Sequence, residues 1–85
     1  MDYCMIGFRS THAAITAQRL LAGICPIQTM PVLREVSAGC GIAVRFPPEH
    51  LADARRALGR SPLSPEDYTV YAVTGSGTAL AVEAL

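Results

Sequence analysis

The order of its short hydrophobic segments constrains this 85-residue chain more than any other feature. Residues 3–8 are apolar at nearly every position, which predicts a buried strand. A run of good helix formers from Thr11 to Ala22 predicts a helix, with Ser10 or Thr11 as its N-cap. Ala14, Ala17, Leu21 and Ile24 then share one apolar face, and Gly23 favours a left-handed C-terminal cap.

The rest of the chain, from residue 27, repeats this alternation of strands and helix. Residues 27–33 predict a second strand, and the proline within it favours a position at the edge of the sheet. Ile42 to Phe46 alternates as a third strand, and Pro47-Pro48 ends it and begins a second helix. Leu51, Ala54 and Leu58 line one face of that helix, Gly59 ends it, and Tyr68 to Val73 predicts a fourth strand.

The order βαββαβ with such short connections predicts an α+β fold, a ferredoxin-like sandwich. We expect a four-stranded antiparallel sheet, in the order 4-1-3-2, with both helices on one face. Residues 1–75 would form this single domain and residues 76–85 a C-terminal tail, either a helical turn or a frayed end. On the open face, Ala43 and Val73 would leave an apolar surface that a homodimer or a protein partner covers.

Composition excludes several classes of function. Seven arginines, no lysine and seven acidic residues give a formal charge of zero without a basic stripe, so a nucleic-acid partner is not expected. No apolar run approaches the roughly 20 residues of a membrane span, which predicts a soluble protein in the cytoplasm. Three cysteines without paired spacing fit a reducing compartment, and no cluster of metal-ligand type or cofactor motif is evident.

The segment from Arg34 to Gly41 carries the candidate chemistry, because it places Cys40 between Gly39 and Gly41. Right-handed crossovers bring this loop to the sheet edge where the first strand ends and the first helix begins. A helix N-terminus there would favour the thiolate, with Arg9, His12 and Arg34 adding positive charge. The predicted site is therefore Cys40 as the reactive residue, with these binding residues: Ser10, Thr11, His12, Arg34, Ser37, Gly39 and Gly41.

Alternatives remain for each cysteine and for His12. Free cysteines are usually buried and inert, so Cys40 is either a reactive thiol or a small residue in a turn. Cys4 alternates with apolar neighbours and is expected in the core. Cys25 follows the first helix and is expected at the opposite edge of the sheet, which argues against a resolving role. His12 is either a neighbour of Cys40 or a tolerated polar residue in a first helical turn.

The sequence resembles the Putative Se/S carrier protein-like family, small bacterial proteins. The resemblance covers roughly residues 3 to 73 and rests on two segments, Phe8 to Ala14 and Pro31 to Phe46. The Arg-Glu-Val-Ser-x-x-Cys-Gly portion is its most specific part, and Leu33 departs from the second proline common in the family. The resemblance implies a single cysteine, here Cys40, that carries sulfur or selenium as a persulfide or perselenide.

Two classes of function follow. The first is a carrier, not an enzyme on its own, that receives sulfur or selenium from a donor protein on Cys40 and presents it to an acceptor protein. The second is a regulatory or scaffold module that binds a small anion or a protein partner, with Cys40 incidental, since this architecture supports many functions. A thiol redox sensor shares the reactive cysteine of the first class.

Overall fold

The computed structural model describes residues 1–33, 41–75 and 79–85. Within them the chain forms two α-helices, a short 3₁₀ turn and five strands. In chain order these are β1 (Tyr3–Phe8), α1 (Thr11–Ala22), β2 (Gln28–Pro31), β3 (Ile42–Phe46), the 3₁₀ turn (Pro48–His50), α2 (Leu51–Gly59), β4 (Tyr68–Thr74) and β5 (Ala81–Ala84).

The strands form one antiparallel sheet in the order β2-β3-β1-β4-β5. The α+β class, the relative order of the first four strands and the edge position of β2 are confirmed. The predicted number of four strands is wrong, because β5 pairs with β4 from Thr74↔Ala81 to Tyr71↔Ala84. Gly75 allows the chain to turn there, since its φ is +89° and a Cβ would collide with the Ala79 carbonyl oxygen.

Both helices pack on the same face of the sheet. The central strand β1 turns Cys4, Ile6 and Phe8 toward them, and all three are at most 1% exposed. The remaining members of this buried cluster come from α1, the turn that follows it, β3, α2 and β4: Ala13, Ala14, Ala17, Leu21, Cys25, Val44, Phe46, Ala54, Leu58 and Val70. The predicted apolar face of the second helix is confirmed, with Leu51 packed at its margin.

A second apolar cluster lies on the opposite face of the sheet. Met5, Ala43 and Val73 are fully buried at its centre. Side chains from the strands and from segments flanking them pack around these three residues: Tyr3, Met30, Val32, Leu33, Tyr71, Leu80 and Val82. The prediction that Ala43 and Val73 are exposed on this face is therefore wrong, because other side chains of the chain cover both residues.

The C-terminal end of α1 differs from the sequence prediction. Gly23 has φ −87° and ψ −1°, a right-handed conformation, so the predicted left-handed cap is wrong. The amides of Ile24 and Cys25 both donate to the Leu21 carbonyl, at 2.9 and 3.0 Å, and this tight turn carries the chain onward without a left-handed residue. As a result Cys25 joins the core, while Ile24, predicted to share the buried face of α1, is 40% exposed.

Candidate functional site

Antiparallel pairing brings the start of α1 and the start of β3 to the same end of the sheet. In the pairing of β1 with β3, Gly7 lies opposite Ala43, so β1 ends where β3 begins. Ser10 is the second residue after β1, and Gly41 is the residue directly before β3. The end of the sheet predicted for the loop before Gly41 is thus the end at which α1 begins.

The first turn of α1 is built around Ser10. Its hydroxyl oxygen accepts a hydrogen bond from the Ala13 amide at 3.1 Å, and its backbone is extended, as an N-cap requires. Thr11 and His12 are the first two helical residues and both are exposed. The sequence motif Ser-Thr-His thus has one member that caps the helix and two that face solvent at its positive end.

Arg9 is held toward β4. Its guanidinium lies 3.8 Å from the Glu66 carboxylate, and its backbone amide donates to the Asp67 carbonyl at 2.9 Å. Both partners directly precede β4, which lies on the opposite side of β1 from β3. The ion pair is largely exposed and contributes little stability. Arg9 therefore lies on the β4 side of this end, whereas the sequence analysis expected its charge near Cys40.

Gly41 lies at a well-anchored but sterically open position. Its carbonyl accepts a hydrogen bond from the Val32 amide at 3.0 Å, which extends the β2–β3 ladder by one pair. Val32 and Leu33 pack against the second apolar cluster. A Cβ at Gly41 would meet no heavy atom within 4 Å among the described residues, and its φ is not left-handed. Local sterics in the described structure therefore give no reason for glycine at this position.

The two cysteines that the structure describes are both free thiols in the core. Cys4 is fully buried and Cys25 is 7% exposed. Burial raises the pKa of the Cys4 thiol, and the positive charges of Arg55 and the N-terminus offset part of this rise. Burial also raises the pKa of the Cys25 thiol, and the negative charge of Asp53 adds to the effect. The predicted core position of Cys4 is confirmed, and both thiols are poor nucleophiles at neutral pH.

A groove between α1 and the edge strand β2 was not predicted from the sequence. It consists of two adjoining depressions, about 710 and 500 Å³, that share Gln18 and Thr29. The first extends toward the end of α1 and the second toward the start of β3. The residues that line them are Gln18, Arg19, Ala22, Ile27, Gln28 and Thr29 in the first, and Gln18, Thr29, Met30, Pro31, Gly41 and Ile42 in the second.

The remaining predicted site residues, Arg34, Ser37, Gly39 and Cys40, lie outside the described residues. In the part of the chain that the structure describes, no group of three or more histidine, cysteine or acidic side chains is arranged to hold a metal ion. No helix among the same residues is long and apolar enough to span a membrane.

Comparison with known proteins identifies one family. The model of the family described as Putative Se/S carrier protein-like matches residues 3–69, which include α1, both flanking strands and the segment around Cys40. Neither the curated proteins nor the solved structures contain a significant match to the chain.

Proposed function

The chain belongs to the Putative Se/S carrier protein-like family, and from this premise we propose that it carries sulfur or selenium on Cys40. The observation that supports this choice of residue is the burial of the other two thiols. Cys4 and Cys25 are in the core with raised pKa values. Of the three cysteines in the chain, this leaves Cys40 as the carrier thiol.

Loading is a thiol–persulfide exchange. The Cys40 thiol first loses its proton to solvent, and the thiolate attacks the outer sulfur of a cysteine persulfide on the donor protein. The S–S bond of the donor breaks, the donor cysteine leaves as a thiolate, and a new S–S bond forms at Cys40, so atoms and electrons balance. Delivery repeats the exchange with the acceptor as nucleophile. The same steps with selenium give a perselenide.

Groups at the end of the sheet where α1 begins support a thiolate at Cys40. The exposed first turn of α1, with Thr11 and His12 at the positive end of the helix dipole, begins at the same end of the sheet as Gly41. In the proposed site these groups, with Arg34 and the amides next to Gly39 and Gly41, stabilise the negative charge of Cys40 and of its persulfide. A carrier of this kind acts in the reducing cytoplasm, with donor and acceptor proteins as its partners.

The test is persulfide formation followed by intact mass. Wild type, Cys40→Ser and the double variant Cys4→Ala/Cys25→Ala are incubated with a bacterial cysteine desulfurase and cysteine. We expect wild type and the double variant to gain the mass of one sulfur atom, which a reductant removes, and Cys40→Ser to gain none. The proposal is wrong if wild type gains no sulfur or if Cys40→Ser gains as much as wild type.

A second measurement separates the carrier from a binding module. In the double variant, Cys40 is the only thiol, so its alkylation rate against pH reports its pKa. We expect a pKa below the ~8.5 of a free cysteine. An ordinary pKa together with no sulfur gain would favour the module with an incidental cysteine. A sulfenic acid or mixed disulfide after mild oxidation, without sulfur gain, would favour the redox sensor.

A further inference from the structure

The edge strand β2 presents hydrogen-bonding groups to the outside of the sheet. The hydrogen bond from the Val32 amide to the Gly41 carbonyl shows which residues of β2 are hydrogen-bonded to β3. Because hydrogen-bonded and non-bonded pairs alternate in antiparallel pairing, Met30 directs its backbone groups to β3 and Thr29 directs its N–H and C=O outward. Pro31 directs only a carbonyl outward, because proline has no N–H.

The groove lies alongside this edge. Residues Ile27, Thr29 and Pro31 turn toward the helix face of the sheet, and Gln18, Arg19 and Ala22 of α1 form the facing wall. An added strand would continue the sheet from Thr29 and direct every second side chain into the space beside α1. The occupant that fits is therefore an extended polypeptide segment, since a helix or a small molecule leaves the outward groups of Thr29 unpaired.

Charge defines the occupant further. Arg19 is the only charged side chain among the described residues that line the groove. It is exposed, and no ion pair to it occurs within the described part of the chain. An acidic side chain on the incoming segment would pair with it. At the other end of the groove, Ile42 is 41% exposed, so an apolar side chain fits there.

We propose that the α1–β2 groove binds an extended segment of a partner protein that adds to the edge of β2. The segment places an acidic residue against Arg19 and an apolar residue against Ile42. Because side chains on one face of a strand recur every second residue, the two lie two or four positions apart in the partner's sequence. Gly41 lines the groove and is bonded to Cys40, so this end of the groove is one residue from the proposed carrier cysteine.

This proposal concerns binding alone and does not depend on sulfur chemistry at Cys40. Its test is selection of random octapeptides displayed on phage against the wild-type protein. The affinities of the enriched peptides are then measured by fluorescence anisotropy. The groove variants are Arg19→Glu and Ile42→Thr. The matched controls, outside the groove, are Arg60→Glu at the end of α2 and Ile24→Thr, whose isoleucine is 40% exposed. Circular dichroism checks that each variant is folded.

We expect the enriched peptides to share an acidic and an apolar residue two or four positions apart. Arg19→Glu should weaken their binding by about fivefold or more, Ile42→Thr should also weaken it, and the controls should change it by less than about twofold. Exchanging the acidic residue of the peptide for arginine should restore binding to Arg19→Glu. Cys40→Ser should bind as wild type does, which keeps this result separate from that of the carrier test.

Three outcomes would overturn the proposal. One is that no peptide family is enriched, and another is that the enriched peptides lack the acidic residue. The third is that Arg19→Glu and Ile42→Thr, both folded, bind as tightly as the controls. If Arg19→Glu is unfolded, Arg19→Gln replaces it, with the same expected direction and a smaller change.

Discussion

Truncation of Met5 to alanine tests whether the sheet is buried on both faces. In a two-layer sandwich the face without helices is open to solvent, and a methionine there contributes little. Here Met5 is fully buried on that face, in the cluster with Ala43 and Val73. Truncation to alanine therefore removes a buried side chain and leaves a cavity, as it would in the helix-side core.

The expected cost follows from burial. Full burial of a methionine side chain stabilises by about 1.5–3 kcal/mol, and the residual cavity adds to the loss, which gives about 2–4 kcal/mol for Met5→Ala. A domain of this length has a total stability of about 4–13 kcal/mol, so the change is a large fraction of it. With a urea m-value of about 1 kcal/mol/M, the unfolding midpoint should fall by about 2 M or more.

Urea unfolding followed by far-UV circular dichroism measures this change. Met30→Ala is the matched control, because Met30 belongs to the same cluster but is only partly buried on the edge strand, and its loss should be roughly 1 kcal/mol. Leu21→Ala, from the helix-side core, gives the scale for a fully buried residue. If Met5→Ala costs no more than Met30→Ala, the second face is exposed in solution and the two-sided core is wrong.

Three further predictions follow from the site. Burial raises the pKa of Cys4 and Cys25, so the folded protein keeps protons that the unfolded chain loses above pH ~8.5. The stability that these two thiols contribute should therefore be fully present below that pH and be lost as the pH rises above it. A urea midpoint that falls equally above pH ~8.5 in Cys4→Ala/Cys25→Ala would contradict this. Ser10→Ala removes the N-cap of α1 and should lower the free energy of unfolding in urea by about 1 kcal/mol. Ser10→Asp keeps a capping oxygen and should lose much less stability. Equal losses in both variants would show that the loss does not come from the missing cap. Gly41→Ala should leave the unfolding midpoint unchanged or slightly raised, and yet slow sulfur loading. Gly23→Ala is the control, because a Cβ there also meets no heavy atom within 4 Å among the described residues, and it should leave both stability and loading unchanged. Loading of Gly41→Ala at the wild-type rate would remove Gly41 from the site.

The helices and strands that have a strong local sequence pattern were predicted from the sequence. The fifth strand, β5, has no such pattern and was not predicted. The predicted helix, Thr11 to Ala22, has the bounds of α1, and the strand at 42–46 has those of β3. In contrast, Ala81–Ala84 has only one residue of high β-propensity, Val82. Its extended conformation comes from pairing with β4, a contact that no local pattern encodes.

The candidate site likewise has one feature with a local sequence signal and one that depends on packing. A capping hydroxyl before a helical run is a local signal, and Ser10 was among the predicted N-caps. The α1–β2 groove depends on how far α1 lies from the edge strand, which only the packed fold determines. Ile15, a large apolar residue outside the face formed by Ala14, Ala17 and Leu21, is exposed, so its side of α1 does not pack on the sheet.

The separation of Cys25 from Gly41 determines how a loaded carrier would lose its sulfur. A second thiol within reach attacks a persulfide, releases sulfide and leaves a disulfide, which requires Cα atoms within about 7 Å. Cys25 follows the far end of α1, a helix of 12 residues and thus about 18 Å long. Gly41 lies at the end where α1 begins, and Cys40 is within ~3.8 Å of it along the chain. Under the proposed function, Cys25 therefore lies too far away to attack a persulfide on Cys40, so the thiol that removes the sulfur comes from outside this chain.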